Sequence, residues 1–167
     1  MSSAGGRRSL GVDVGEARVG VAESDPDGIL ATPVVTLARD HEPAASDQQA
    51  IAELVAERGV GTVFVGLPLS LDGSEGLAAR RAREYAVGLA ARVAPVRVRL
   101  VDERLTTVSA HRQLHDAGEP GRGHRRIVDQ AAAVLILQGA LDAARSTGRD
   151  QGEVVGTRRK PRTKERG

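Results

Sequence analysis

Four carboxylates stand where a fold could put them to chemical use: Asp13, Asp102, Glu103 and Asp129. Asp13 interrupts an apolar run, Leu10-Gly11-Val12-Asp13-Val14-Gly15, that reads as a strand, and a carboxylate is a poor strand former. Alternation puts Leu10, Val12 and Val14 on one face and Gly11, Asp13 and Gly15 on the other. The glycines leave room for a ligand beside Asp13; the plainer reading is an aspartate that bonds the turn at Gly15. Asp102 and Glu103 close a second strand-like run, and the plainer reading of Asp102-Glu103-Arg104 is a surface ion cluster. Asp129 falls in the expected first turn of the last helix, a place the helix dipole favours by itself. Brought together, such carboxylates hold hard divalent cations through oxygen. Two ions about 4 Å apart activate a water and stabilise the leaving oxygen in phosphodiester hydrolysis.

The elements that must position them follow from pattern. Residues 8–14, 18–24 and 29–37 read as three strands joined by short turns, the second turn being Asp25-Pro26-Asp27-Gly28. Helical spacing begins at 43 and stops at Gly59, a favoured C-terminal cap. Residues 62–66 form an apolar run without alternation, as expected of a strand covered on both faces. A loop over 66–74 leads to Ser74, the predicted N-cap of a helix to Val93. Residues 96–101 alternate Val and Arg, which suits an edge strand with one exposed face. Thr106 or Thr107 caps a predicted helix to 116, residues 117–123 read as a mobile loop, and a last helix is expected over 126–145. The predicted order, β-β-β-α-β-α-β-α-α, argues for an α/β domain with a mixed sheet. Ligands in open α/β sheets gather at the carboxyl ends of the strands, where Asp13, the Asp102-Glu103 pair and Asp129 can converge.

Composition narrows the function. The 167 residues suffice for one domain with a sizeable core. We assign 1–145 to that domain and 146–167 to a basic, disordered tail that could attract a polyanion without reading its sequence. The formal net charge of +2 conceals this division, because the body is slightly acidic. Aromatic content is 1 %, so Phe64 and Tyr85 cannot form a base-stacking platform. Absence of cysteine removes disulfides and thiolate chemistry. No run approaches a membrane span, and the expected location is the cytoplasm, with no membrane partner. Histidines 41, 111, 115 and 124 are scattered; His111 and His115 have the spacing of a helical zinc pair, but no third ligand completes it.

The combination resembles a known family. Leu10 to Gly15, Arg18-Val19-Gly20-Val21-Ala22 with Ser24-Asp25, Val65-Gly66-Leu67-Pro68-Leu69, Asp72-Gly73-Ser74, Asp102-Glu103-Arg104-Leu105-Thr106-Thr107 and Asp129-Gln130-Ala131-Ala132 are similar to the YqgF, or RuvX, family. The similarity covers about 10–142 and is most specific in the Asp-Glu-Arg-Leu-Thr-Thr block. It implies a ribonuclease H-like fold related to RuvC-type Holliday junction resolvases: a five-stranded mixed sheet, an antiparallel meander of three strands plus two parallel strands, flanked by helices. It further implies a bacterial nuclease that processes the 5′ end of precursor 16S rRNA, some members being named Holliday junction resolvases. Carried onto this chain, the catalytic and metal-holding set is Asp13, Glu103 and Asp129, with Asp102 an adjacent metal candidate. Alternation groups Asp102 with Val96, Val98 and Leu100, and Glu103 with Val101 and the arginines; it does not choose between them, and the resemblance favours Glu103. The implied cofactor is one or two Mg²⁺ or Mn²⁺ ions. Arg18, Arg104, Arg125 and Arg126 are the expected phosphate contacts, the last two standing where relatives carry a lysine.

Other classes compete. Asp-x-Gly after a first strand also resembles the phosphate loop of actin-like ATPases and sugar kinases, which need two such domains. A catalytically silent assembly factor on ribosomal precursors would keep the same scaffold. The pattern leaves open pre-16S rRNA versus four-way DNA junctions as substrate, and monomer versus homodimer. Symmetric junction cutting calls for a two-fold dimer, whereas end trimming does not.

Overall fold

The computed structural model describes residues 7–105 and 122–156, with the backbone alone at 105 and 122–127. The chain opens with an antiparallel meander, β1 (Arg8–Val14), β2 (Arg18–Ser24) and β3 (Ala31–Ala38). Helix α1 (Ser46–Arg58) leads into β4 (Val60–Leu67), and α2 (Leu77–Val93) into β5 (Arg97–Asp102). A short 3₁₀ turn follows at Glu103–Leu105. Helix α3 (Arg122–Thr147) and a three-residue strand, β6 (Glu153–Val155), complete the described elements. The predicted helix from Thr106, with His111 and His115, lies outside the described residues.

One mixed sheet results, in the order β3-β2-β1-β4-β5-β6, with β4 parallel to both β1 and β5. The meander and the two parallel strands are as expected; the sheet has six strands rather than five. Glu153–Val155 pairs antiparallel with β5 through Val98↔Val155 and Leu100↔Glu153. Residues 146–156 are thus part of the folded body, against the assignment of everything from 146 to a disordered tail, and β5 is not the edge. The strand escaped pattern reading because three residues beside charged neighbours carry no usable periodicity.

Strand alternation sorts the core into two layers. Leu10, Val12, Val19, Val21, Val63, Val65, Val98 and Leu100 face α1 and α2, meeting Ile51, Val55, Ala82, Ala86 and Leu89. The opposite face, with Ala22, Phe64 and Val101, is covered by α3 through Ala132, Ala133, Ile136, Leu137 and Ala140. Both aromatic residues are interior, and the Tyr85 hydroxyl donates to the buried Asp47 carboxylate at 3.0 Å.

Helix ends follow local chemistry. Gly59 ends α1 in a left-handed conformation (φ 62°), its N–H returning to the Val55 carbonyl. Helix α1 starts at Ser46 rather than 43, because the Asp40 carboxylate accepts from the Glu42 and Ser46 N–H groups and holds the approach as a turn. Ser74 does not cap α2. Its N–H and hydroxyl both donate to Asp72, at 2.9 and 2.7 Å, so the hydroxyl is committed to an Asx turn, and α2 begins only after Gly76.

Candidate active site

Three glycines clear the face on which the site forms. Gly11 and Asp13 of β1 stand opposite Ala22 and Gly20 of β2, so all four share the face beneath α3. A β-carbon at Gly11 would come within 2.6 Å of Leu137 Cβ and 2.9 Å of the Ala133 carbonyl oxygen. One at Gly20 would collide with the backbone of Asp129. The space beside Asp13 that the sequence suggested for a ligand is therefore taken, at Gly11, by the helix. The same close approach sets Asp129 over β2.

Asp13 and Glu103 are buried, at 4 % and 2 % exposure. Each terminates its reach at the carboxyl end of a parallel strand, β1 and β5, and β4 runs between them. Asp13 and Gly66 each follow the last registered pair, Val12↔Val65. A β-carbon at Gly66 would lie 2.5 Å from Glu103 Oε2 and equally close to Ile136 Cδ1. The Glu103 carboxylate thus occupies the place of the missing side chain, on the α3 face and over the strand next to Asp13.

Asp102 goes elsewhere. It registers with Leu67, whose side chain belongs to the α1–α2 layer. Its carboxylate accepts from Arg104, at 2.7 Å from Nη2 and 2.9 Å from the backbone N–H. Those bonds, the guanidinium's first, hold the Asp102 carboxyl below the usual aspartate range against the opposing effect of partial burial. Arg104 reaches on to the Leu71 carbonyl at 3.3 Å, tying the 66–74 loop to the end of β5. Leu71 itself is 96 % exposed at that loop.

Asp129 lies deeper in its helix than expected. The helix begins at Arg122, so Asp129 is two turns in, and the dipole argument for its position fails. Its carboxylate is met instead by Arg18, whose Nε donates to Oδ2 at 2.7 Å. Arg18 lies two residues from Gly20 on β2, hence on the same face as Asp13. Of the expected phosphate contacts, Arg18 and Arg104 are engaged with carboxylates, and the side chains of Arg125 and Arg126 lie outside the described residues.

Sequence reasoning overlooked a supporting residue. Arg39, just after β3, donates from Nη1 to the Gly15 carbonyl at 2.8 Å and from its N–H to the Ala17 carbonyl at 2.8 Å. It lies 3.7 Å from Asp47 and 5.0 Å from the Tyr85 ring centroid. It thereby anchors the turn that follows Asp13. No local signal marked it, because its partners come from α1, α2 and the β1–β2 turn.

The donor set is carboxylate oxygen throughout, which suits a hard ion such as Mg²⁺ or Mn²⁺ in kind. Among the described residues no three His, Cys, Asp or Glu side chains stand close enough to form a ready-made cation cage. The engagement of Asp129 by Arg18 is in keeping with that arrangement.

Comparison with known proteins agrees with the fold. A family profile described as "RuvX: Holliday junction resolvase" matches residues 7–143. A protein of Nocardioides sp., named "Putative pre-16S rRNA nuclease", is 56 % identical over 150 residues, 87 % of this chain and 94 % of its own length. The Streptomyces coelicolor protein of the same name is 53 % identical over 148 residues, covering 89 % of this chain and 87 % of its own. Among solved structures, Thermus thermophilus RuvC in complex with a Holliday junction substrate superposes with a TM-score of 0.54 at 15 % identity, over 86 % of this chain and 98 % of RuvC. At that identity the likeness is one of fold, the ribonuclease H-like sheet and its flanking helices. The extent of the profile match and the identity to these relatives place the chain in the RuvX family.

Proposed function

We propose that this protein is a divalent-metal-dependent nuclease whose substrate is the 5′ end of precursor 16S rRNA, acting in the bacterial cytoplasm on ribosomal precursors. The observation that carries this reading is the pair of buried carboxylates, Asp13 and Glu103, on one face at the carboxyl ends of β1 and β5, the parallel strands on either side of β4. Burying carboxylates is costly, and a shared face at the ligand-binding end of an α/β sheet is where such a cost has a chemical return. The substrate follows the names of relatives more than 50 % identical over most of the chain.

In this reading Asp13, Glu103 and Asp129 hold one or two Mg²⁺ or Mn²⁺ ions, with Asp102 outside the set. The bound metal supplies Lewis-acid polarisation of the scissile phosphate and a water acidified enough to attack it. Asp13 stays in place because β1 and the Arg39-anchored turn fix its backbone, and Glu103 because it follows β5 directly in the 3₁₀ turn. The 66–74 loop, clamped by Arg104, borders the groove. Arg125 and Arg126 supply phosphate contacts that orient the strand without reading bases.

The test is cleavage by the purified chain, with Mn²⁺ or Mg²⁺, of a precursor 16S 5′-end RNA and of a four-way DNA junction. Asp13→Asn is expected to retain its thermal unfolding midpoint and to lose RNA cleavage by about a thousandfold, ~4 kcal/mol of transition-state stabilisation. Normal cleavage by that variant overturns the assignment. The family description as a Holliday junction resolvase supports one alternative: paired symmetric nicks in the junction would identify a resolvase acting as a dimer. Metal-independent binding of either substrate without turnover would identify an assembly factor.

A further inference from the structure

We propose that Arg18 is an internal counterion for Asp129 that exchanges with the divalent metal, so that the site is completed only when the guanidinium lets go. This rests on the metal-site reading above and adds a positioning residue to it. Arg18 Nε lies 2.7 Å from Asp129 Oδ2 although the two are 111 residues apart in sequence. The pair is built by the fold. Gly20 lets the backbone of Asp129 settle on β2, and Arg18, two residues away on the same face, meets the carboxylate that arrives. Asp129 is therefore fixed at its backbone and variable only in where its carboxylate points.

Two observations make the contact exchangeable rather than permanent. The two side chains are largely covered yet keep 31 % and 20 % of their surface exposed, so water and a solvated ion can reach the contact. The contact is made through Nε, not as a two-pronged fork, which leaves it without the geometric reinforcement of a bidentate pair. A divalent ion at Asp13 and Glu103 would compete for Asp129 with twice the charge of the guanidinium. Arg18, once displaced, stands at the rim of the site with its donors available to a phosphate. Metal and nucleic acid then favour each other's binding through one side chain.

The experiment measures Mn²⁺ affinity of the full chain by the electron paramagnetic resonance signal of free Mn²⁺, without substrate. Arg18→Gln is expected to bind Mn²⁺ about three- to fivefold more tightly than wild type, the scale of a single ion pair that water still reaches. In an Asp129→Asn background the same substitution is expected to give no gain. Unchanged or weaker Mn²⁺ binding by a folded Arg18→Gln overturns the proposal. An equal gain in the Asp129→Asn background also overturns it, because Arg18 would then act only through its general field. Absence of Mn²⁺ binding in every protein, wild type included, overturns the metal site and this exchange together. A measurement on the wild type needs no variant: the Arg18 Nε–H resonance of ¹⁵N-labelled protein should shift as Mg²⁺ is added and saturate with metal binding. A resonance that stays still while Mg²⁺ binds overturns the exchange.

Discussion

At the residue scale, two adjacent carboxylates have separate fates. Asp102 and Glu103 follow one another at the end of β5, yet one meets Arg104 on the loop side and the other lies against Gly66 beneath α3. Glu103→Gln is expected to lose metal-dependent cleavage nearly as fully as Asp13→Asn, while Asp102→Asn keeps most of it; parallel cleavage assays check this. Asp102 instead carries a pH dependence. Its folded carboxyl titrates below its unfolded counterpart because Arg104 bonds the charged form. The tie therefore contributes in full above the ordinary aspartate range and is lost as pH falls through the lower folded value. Limited proteolysis within residues 66–74 is expected to stay slow down to about pH 4 and to accelerate below it. Arg104→Ala should abolish that pH dependence by making the loop susceptible throughout.

At the element scale, the decisive contact is helix α3 on β2. Its small residues, Ala132 and Ala133, and the glycines beneath allow the helix to press close enough to deliver Asp129. Gly20→Ala places a methyl group against the Asp129 backbone, which must lift. A cost of about 1–3 kcal/mol in unfolding free energy is expected, together with a loss of cleavage larger than the remaining folded fraction explains. Chemical denaturation read beside specific activity separates the two effects. The dipole explanation of Asp129 failed at this scale. Where a helix begins is set by the residues before it, and Arg122 starts it more than a turn earlier than the apolar spacing suggested.

At the scale of the whole molecule, the sheet is closed on its β5 side by a strand from beyond the last helix. Removing residues 153–167 uncovers the N–H and C=O groups of β5 and is expected to lower the unfolding midpoint and promote association, by the usual behaviour of open strand edges. Scanning calorimetry and sedimentation would show both. Much of this architecture was legible in the chain: alternation marked β1 and β5, turn residues bounded β2 and β3, Gly59 marked the end of α1, and the apolar run at 62–66 marked a strand covered on both faces. These features depend on neighbours one to four residues apart, which local pattern records. The residue types that could hold a hard cation were legible for the same reason. Which of them share a face was decided only in three dimensions. The Arg18–Asp129 pair, the seating of Glu103 over Gly66, the Arg39 anchor and the β5–β6 pairing all join segments distant in sequence. No local periodicity encodes such contacts; they arise when the sheet register and the approach of α3 are set together by packing.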